Sequence, residues 1–168
     1  MGDSPEIRPP LLVLGVGNRL LSDDGVGLEL LSRLQDLSDE APEIEWIDGG
    51  TQGLALLPYL EDRQAVLVLD AVSLGAAPGT PHLLHGNERG QAARSTSAHG
   101  SSVGELLSVA ALLGQLPPDV TIVGIEPKLL RTGLGLSHEV EASLPEALRT
   151  AALELSRLST TIREAAHA

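Results

Sequence analysis

The sequence predicts an α/β domain built on a largely parallel five-stranded sheet with helices on both faces. Two observations carry this expectation. Continuous runs rich in Val, Leu and Ile recur at 11–17 (LLVLGVG), 65–72 (AVLVLDAV) and 120–127 (VTIVGIEP), as in strands buried on both faces. Helical periodicities lie between the strands, and strand–helix alternation brings strands together in parallel under covering helices. A chain of 168 residues suits one core, so a single domain is expected over 1–168, with 1–10 and 162–168 as flexible ends.

Taken in order, the run at 11–17 is the first buried strand. Val26, Leu30, Leu34 and Leu37 then fall on one face of a helix. IEWID (44–48) and PHLLH (81–85) are shorter and more mixed, as edge or antiparallel strands are. TQGLALLPYLED (51–62) predicts a shorter helix. Ser102 and Glu105 form a capping box opening VGELLSVAALLGQL. The stretch 137–165 is helical by composition, and Pro145 either kinks it or opens a second helix capped by Ser143; a break near Ser143 is the preferred reading. SLGAAPGTP and GNERGQAARSTSA read as loops, the second long enough to be functional.

Composition removes several classes of function. Eleven basic residues against 23 acidic ones leave a formal charge of −12, which argues against nucleic acid or an anionic membrane as partner. Cysteine is absent, so no disulfide framework, thiolate site or cysteine nucleophile is available. Trp46 and Tyr59 are the only aromatics; the core must be aliphatic, and base-stacking platforms are nearly missing. MGDSPEIRPP lacks the regions of a signal peptide, and no apolar run approaches a membrane span. A soluble cytoplasmic protein is expected.

In open α/β sheets ligands gather beyond the carboxyl ends of the parallel strands. That rule selects Asn18, Asp23 and Asp24 after the first strand, Asp70 at the end of AVLVL, and His99 in the loop before the helix that Ser102 caps. Two carboxylates and an imidazole suit nickel, zinc, iron or cobalt. The positions left open are what a metal needs to polarise a carbonyl or acidify a bound water. Plainer roles compete. Asp23 and Asp24 could cap a helix, and His99 could be an ordinary loop residue. Asp70 resists such a reading, because an acid behind five apolar residues needs partners for its buried oxygens. His82, His85 and His138 lack comparable placement and read as surface or packing residues.

The glycines of GVGNRLLSDDGVG (15–27) suggest a phosphate cradle, but G-x-G-x-x-G fails at Leu20 and no P-loop G-K-[ST] follows. The paired aspartates would repel a phosphate. The glycines instead suit a tight strand-to-helix turn. No G-x-S-x-G elbow and no H-E-x-x-H helix is present.

GVGNRLLSDDGVG, IDGGTQG (47–53), VLDAV (68–72), SAHGSS (97–102) and GIEP (124–127), in this order and at these separations, resemble the hydrogenase maturation proteases, which trim the C-terminal extension from large-subunit precursors of nickel-iron hydrogenases. The resemblance runs from about Leu11 to the C-terminal helix. It implies a three-layer fold with a twisted, mixed but mainly parallel sheet, and a metal and catalytic site made by Asp24, Asp70 and His99. It further implies that nickel already inserted in the precursor is the recognition element, although other divalent metals can occupy such a site. Asp23 would then hold Asp24 or act as base. Asn18, Asp23, Asp48, Gly49, Gly50 and Thr51 would line the peptide groove, unless IDGGTQG is only a β-to-α turn capped by Thr51. A monomer is expected. The rival expectation is a non-catalytic factor that binds the nickel-loaded precursor on the same fold.

Overall fold

The computed structural model describes residues 8–86 and 103–168. Strand β1 (Leu11–Val16) leads through a 3-10 turn (Ser22–Gly25) into α1 (Val26–Leu37). Strand β2 (Ile44–Gly50), a 3-10 turn (Gly53–Leu56) and the single turn α2 (Leu57–Leu60) follow. Then come β3 (Ala65–Ala71), β4 (Pro81–His85), α3 (Val103–Leu112), β5 (Asp119–Ile125) and α4 (His138–Ala166). The five strands form one sheet in the order β2-β1-β3-β5-β4. β1 runs parallel to β2 and β3, and β3 to β5, while β4 closes the far edge antiparallel to β5. The fold is therefore the mixed, mainly parallel α/β sheet expected, and the two mixed-composition strands are its two edges.

The sheet sorts its side chains by parity. Every residue of β1 and β3 is buried, because these central strands are covered on both sides. Leu67 and Leu69 pack with Val26, Leu30 and Leu34 of α1 and with Val140, Leu144 and Leu158 of α4. Val66 and Val68 pack on the other face with Leu60 of α2 and Leu106 and Leu107 of α3. Each fully buried leucine or valine contributes about 1.5–3 kcal/mol, so an aliphatic core suffices without phenylalanine. Leu37 is exposed, although its angular position on α1 matches Leu30 and Leu34. A shared face buries a side chain only where another element covers it.

α4 corrects two expectations. It is one helix through Pro145, with no break near Ser143. Pro145 cannot donate to the carbonyl of Glu141, but both residues are exposed, so water can satisfy that carbonyl. Ser143 lies inside the helix, donating its hydroxyl to Glu139 O at 3.1 Å and also to Gly79 O. The buried stripe Val140, Leu144, Ala147, Ala151, Leu155, Leu158 and Ile162 continues across the proline, and its packing outweighs the lost hydrogen bond. The helix extends to Ala166 with Ile162 buried, so the chain is not a loose end from 162. Ser102 of the expected capping box lies outside the described residues. No described helix is long and apolar enough to cross a membrane.

Candidate functional site

The site is assembled where β1, β3 and β5 end. Asp70, near the end of β3, lies level with Gly124 of β5 and is buried. Its Oδ1 accepts a hydrogen bond from Ala71 N at 2.8 Å. Burial pushes the Asp70 carboxyl well above the usual carboxylate range; the Ala71 N–H offsets part of this, and the charge of Asp24 raises it further. Asp24 and Asp70 are thus electrostatic neighbours, although their residues lie on different strand ends.

The turn after β1 sets Asp24. Its Oδ2 accepts from Asn18 N at 3.0 Å, and Asn18 Oδ1 accepts from Leu20 N at 2.9 Å. Asn18 therefore folds the loop back onto the carboxylate. Gly27 lets α1 start against the strand ends. A Cβ there would stand 2.3 Å from the carbonyl oxygens of both Val16 and Leu69 and 2.9 Å from Asp70 Cα, closer than any side chain tolerates. Gly17 takes φ +132°, and a Cβ on it would strike Asp24 O. The glycines bring β1, α1 and β3 together around two acids.

Asp23 points elsewhere. It is fully buried, and Oδ2 accepts from Lys128 N (2.9 Å), Leu129 N (2.7 Å) and Ser137 Oγ (2.8 Å) while Oδ1 accepts from Ser137 N (2.6 Å). Four donors satisfy the charge and tie the β1–α1 turn to the β5–α4 connection. Asp23 is therefore a structural anchor of the turn that bears Asp24. Next to it Ser22 is held at φ +51°, its Oγ donating to Arg131 O at 3.0 Å.

The carboxyl end of β2, with Thr51 after it, lies on the same rim. Asp48 and Thr51 are exposed, Gly49 is buried and Gly50 half-buried. Asp48 Oδ1 accepts from Gly50 N at 3.0 Å, and Gly17 N donates to Gly50 O at 2.9 Å, joining this turn to the one that carries Asp24. Gln52, not Thr51, precedes the 3-10 turn at Gly53–Leu56, and no side chain caps it; the capping role for Thr51 is not realised.

Among the described residues no three His, Asp or Glu side chains converge as a metal site. His99, the third member expected, lies outside the described residues. A cavity of about 570 Å³, lined by residues including Gln35, Asp39, Ile44 and Trp46, sits at the amino end of β2, away from the paired acids.

Sequence reasoning assigned no role to Glu126 and left His82 as a surface or packing residue. In the fold Glu126 is buried and its carboxylate accepts from Leu74 N (2.9 Å) and Gly75 N (3.2 Å) and pairs with His82 Nε2 at 2.8 Å. Its backbone donates to Thr80 O and accepts from Gly79 N. Glu126 thereby holds the whole β3–β4 connection. Burial pushes its carboxyl up, but the bonds from Leu74, His82 and Gly75 outweigh that and leave it below the usual range. A signal was present in the sequence, since Glu126 follows a buried apolar strand just as Asp70 ends one.

A mainly parallel sheet whose strand ends gather two interacting carboxylates defines a class of α/β protein with an acidic rim, and the comparisons place it more narrowly. The family model described as hydrogenase maturation protease, HycI, matches residues 28–154. The hydrogenase 2 maturation protease of Escherichia coli strain K12 is 35% identical over 161 residues, which cover 94% of this chain and 98% of that one. The solved structure of the hydrogenase maturating endopeptidase HybD from E. coli superposes with a TM-score of 0.79 at 32% identity, covering 88% of this chain and 92% of that one. HybD from Thermococcus kodakarensis gives a TM-score of 0.66 at 27% identity, covering 84% and 95%. The chain belongs to the hydrogenase maturation protease family, and it is a maturation endopeptidase by that membership.

Proposed function

We propose that this chain removes the C-terminal extension of a nickel-iron hydrogenase large-subunit precursor after nickel insertion, acting in the cytoplasm as a monomer, with the inserted nickel as its recognition element. The single observation that carries the reading is the Asp24–Asp70 pair. A buried carboxyl at Asp70 whose ionisation is opposed by burial and by the charge of Asp24 is a poor structural choice, but the pair suits a cation brought to it.

On this reading nickel belongs to the substrate and supplies Lewis acidity beside the scissile peptide. Asp24, Asp70 and His99 bind it through carboxylate oxygens and an imidazole nitrogen. Asp70, protonated more readily than an ordinary carboxyl, gives up its proton as the cation arrives. Asn18 fixes Asp24 through Oδ2, so the pair is oriented before the substrate docks. Asp48, Gly49, Gly50 and Thr51 line the approach from the β2 side. A divalent metal other than nickel can fill the same donors.

The test uses purified protein with nickel-loaded and nickel-free precursor, followed by intact mass. Loss of a C-terminal peptide from the loaded form alone is expected. Binding of the loaded precursor without loss of mass favours a non-catalytic maturation factor instead. Asp24→Ala, Asp70→Ala and His99→Ala should each abolish processing with the fold retained, and normal processing by any two of them overturns the assignment.

A further inference from the structure

The rim around the acids presents leucines to solvent, one from each loop that leaves a parallel strand. Leu20 follows β1 and is 62% exposed, Leu54 follows β2 at 42%, Leu74 follows β3 at 43%, and Leu134 follows β5 at 82%. Exposed single leucines are unremarkable. Four from four different loops stand at one end of the sheet, the end to which the parallel strands β1, β2, β3 and β5 run, and exposed apolar surface gathered in one region marks interaction sites. Leu20 and Leu134 are joined by a bridge between Leu21 and Gly133 and by Gly133 N donating to Leu20 O at 3.0 Å. Their loops are braced by Ser22 and Asp23 as described, so presenting these side chains costs little further ordering on binding.

Size and charge narrow the occupant. From β2 to β5 the loops that carry these leucines span three strand spacings, roughly 14 Å, wider than one extended peptide. The chain is acidic overall, yet Arg19, Lys128 and Arg131 stand in these same loops. Arg19 pairs with Glu29 and Lys128 with Glu139, whereas the side chain of Arg131 is exposed and makes no ion pair among the described residues. An apolar face with a carboxylate at its edge would complement such a rim.

We propose that Leu20, Leu54, Leu74 and Leu134 form an apolar collar that seats the folded body of the precursor, with Arg131 meeting an acidic side chain at its margin. This rests on the processing activity proposed above. The collar recognises the body, and the acids at its centre receive the metal and the adjoining peptide.

The experiment measures processing kinetics by intact mass for the full chain and its variants on a nickel-loaded large-subunit precursor. Leu20→Asp and Leu134→Asp place an unpaired charge in the contact and should each raise KM about tenfold with kcat within about twofold. Leu153→Asp on the outer face of α4, also exposed, should leave both unchanged. Wild-type KM in both collar variants, or loss confined to kcat, overturns the collar while leaving the protease reading intact. No cleavage by the unaltered chain overturns that reading and the collar with it. A synthetic peptide of the extension binding as tightly as the intact precursor shows that the tail rather than the body is recognised. A dimer of the unaltered chain dissolved by Leu134→Asp shows that a second copy covers the collar; either result overturns the proposal.

Discussion

Asp70 and Glu126 are both buried acids at the carboxyl ends of parallel strands, and their surroundings drive their titration in opposite directions. Glu126 collects two backbone N–H groups and a histidine, which favour its charged form. Asp70 collects one N–H and faces a like charge, which favours its proton. Because folded Asp70 keeps its proton to higher pH than the unfolded chain, its contribution to stability is fully present below the ordinary value of 3.8 and is lost as pH rises through the raised one. Asp70→Asn keeps an acceptor for Ala71 N and removes the charge. It should raise stability by about 1 kcal/mol at about pH 8, gain much less at about pH 4, and abolish processing. Urea unfolding at the two pH values checks this, and a gain larger in acid would contradict it.

At the scale of elements, the sheet was legible because its central strands are buried on both faces and so read as unbroken apolar runs. The mixed edges IEWID and PHLLH were legible for the complementary reason. α4 was misread at Pro145, since local propensity cannot register a stripe of seven buried side chains extending either side of it. Leu37 was misread because periodicity gives direction but not coverage. Of the candidate site, Asp24 and Asp70 could be found from their places after strands, whereas Asp23 and Glu126 took their roles from partners beyond reach of any local pattern. Asp23 binds Ser137, and Glu126 binds His82 and the backbone of Leu74. If packing alone carries α4 through Pro145, restoring the hydrogen bond should add to stability. Pro145→Ala is expected to stabilise by about 1–3 kcal/mol with processing unchanged, read as a shift in urea midpoint at constant slope. A loss of stability would mean that the proline sets a bend the fold needs.

Across the whole molecule, the rim loops hang on two carboxylates whose positions flank one short segment. Glu126, at the end of β5, grips the β3–β4 connection at 74–82. Two residues on, Lys128 and Leu129 donate to Asp23 in the turn after β1. The segment 126–129 therefore couples the loop downstream of Asp70 to the loop that bears Asp24, and the distance between the two site acids depends on both clasps. The clasps differ in how replaceable they are. Asp23→Ala strands four donors in a buried place and should lower stability by about 3 kcal/mol. Glu126→Gln retains an acceptor and should cost about 1 kcal/mol. Its pH dependence should also change, because the contribution of Glu126 is present above the ordinary 4.5 and is lost as pH falls through its lower folded value. Urea unfolding across that range checks both variants. An Asp23→Ala protein within about 0.5 kcal/mol of the parent would mean that the β1–α1 turn holds Asp24 without help from the β5–α4 connection.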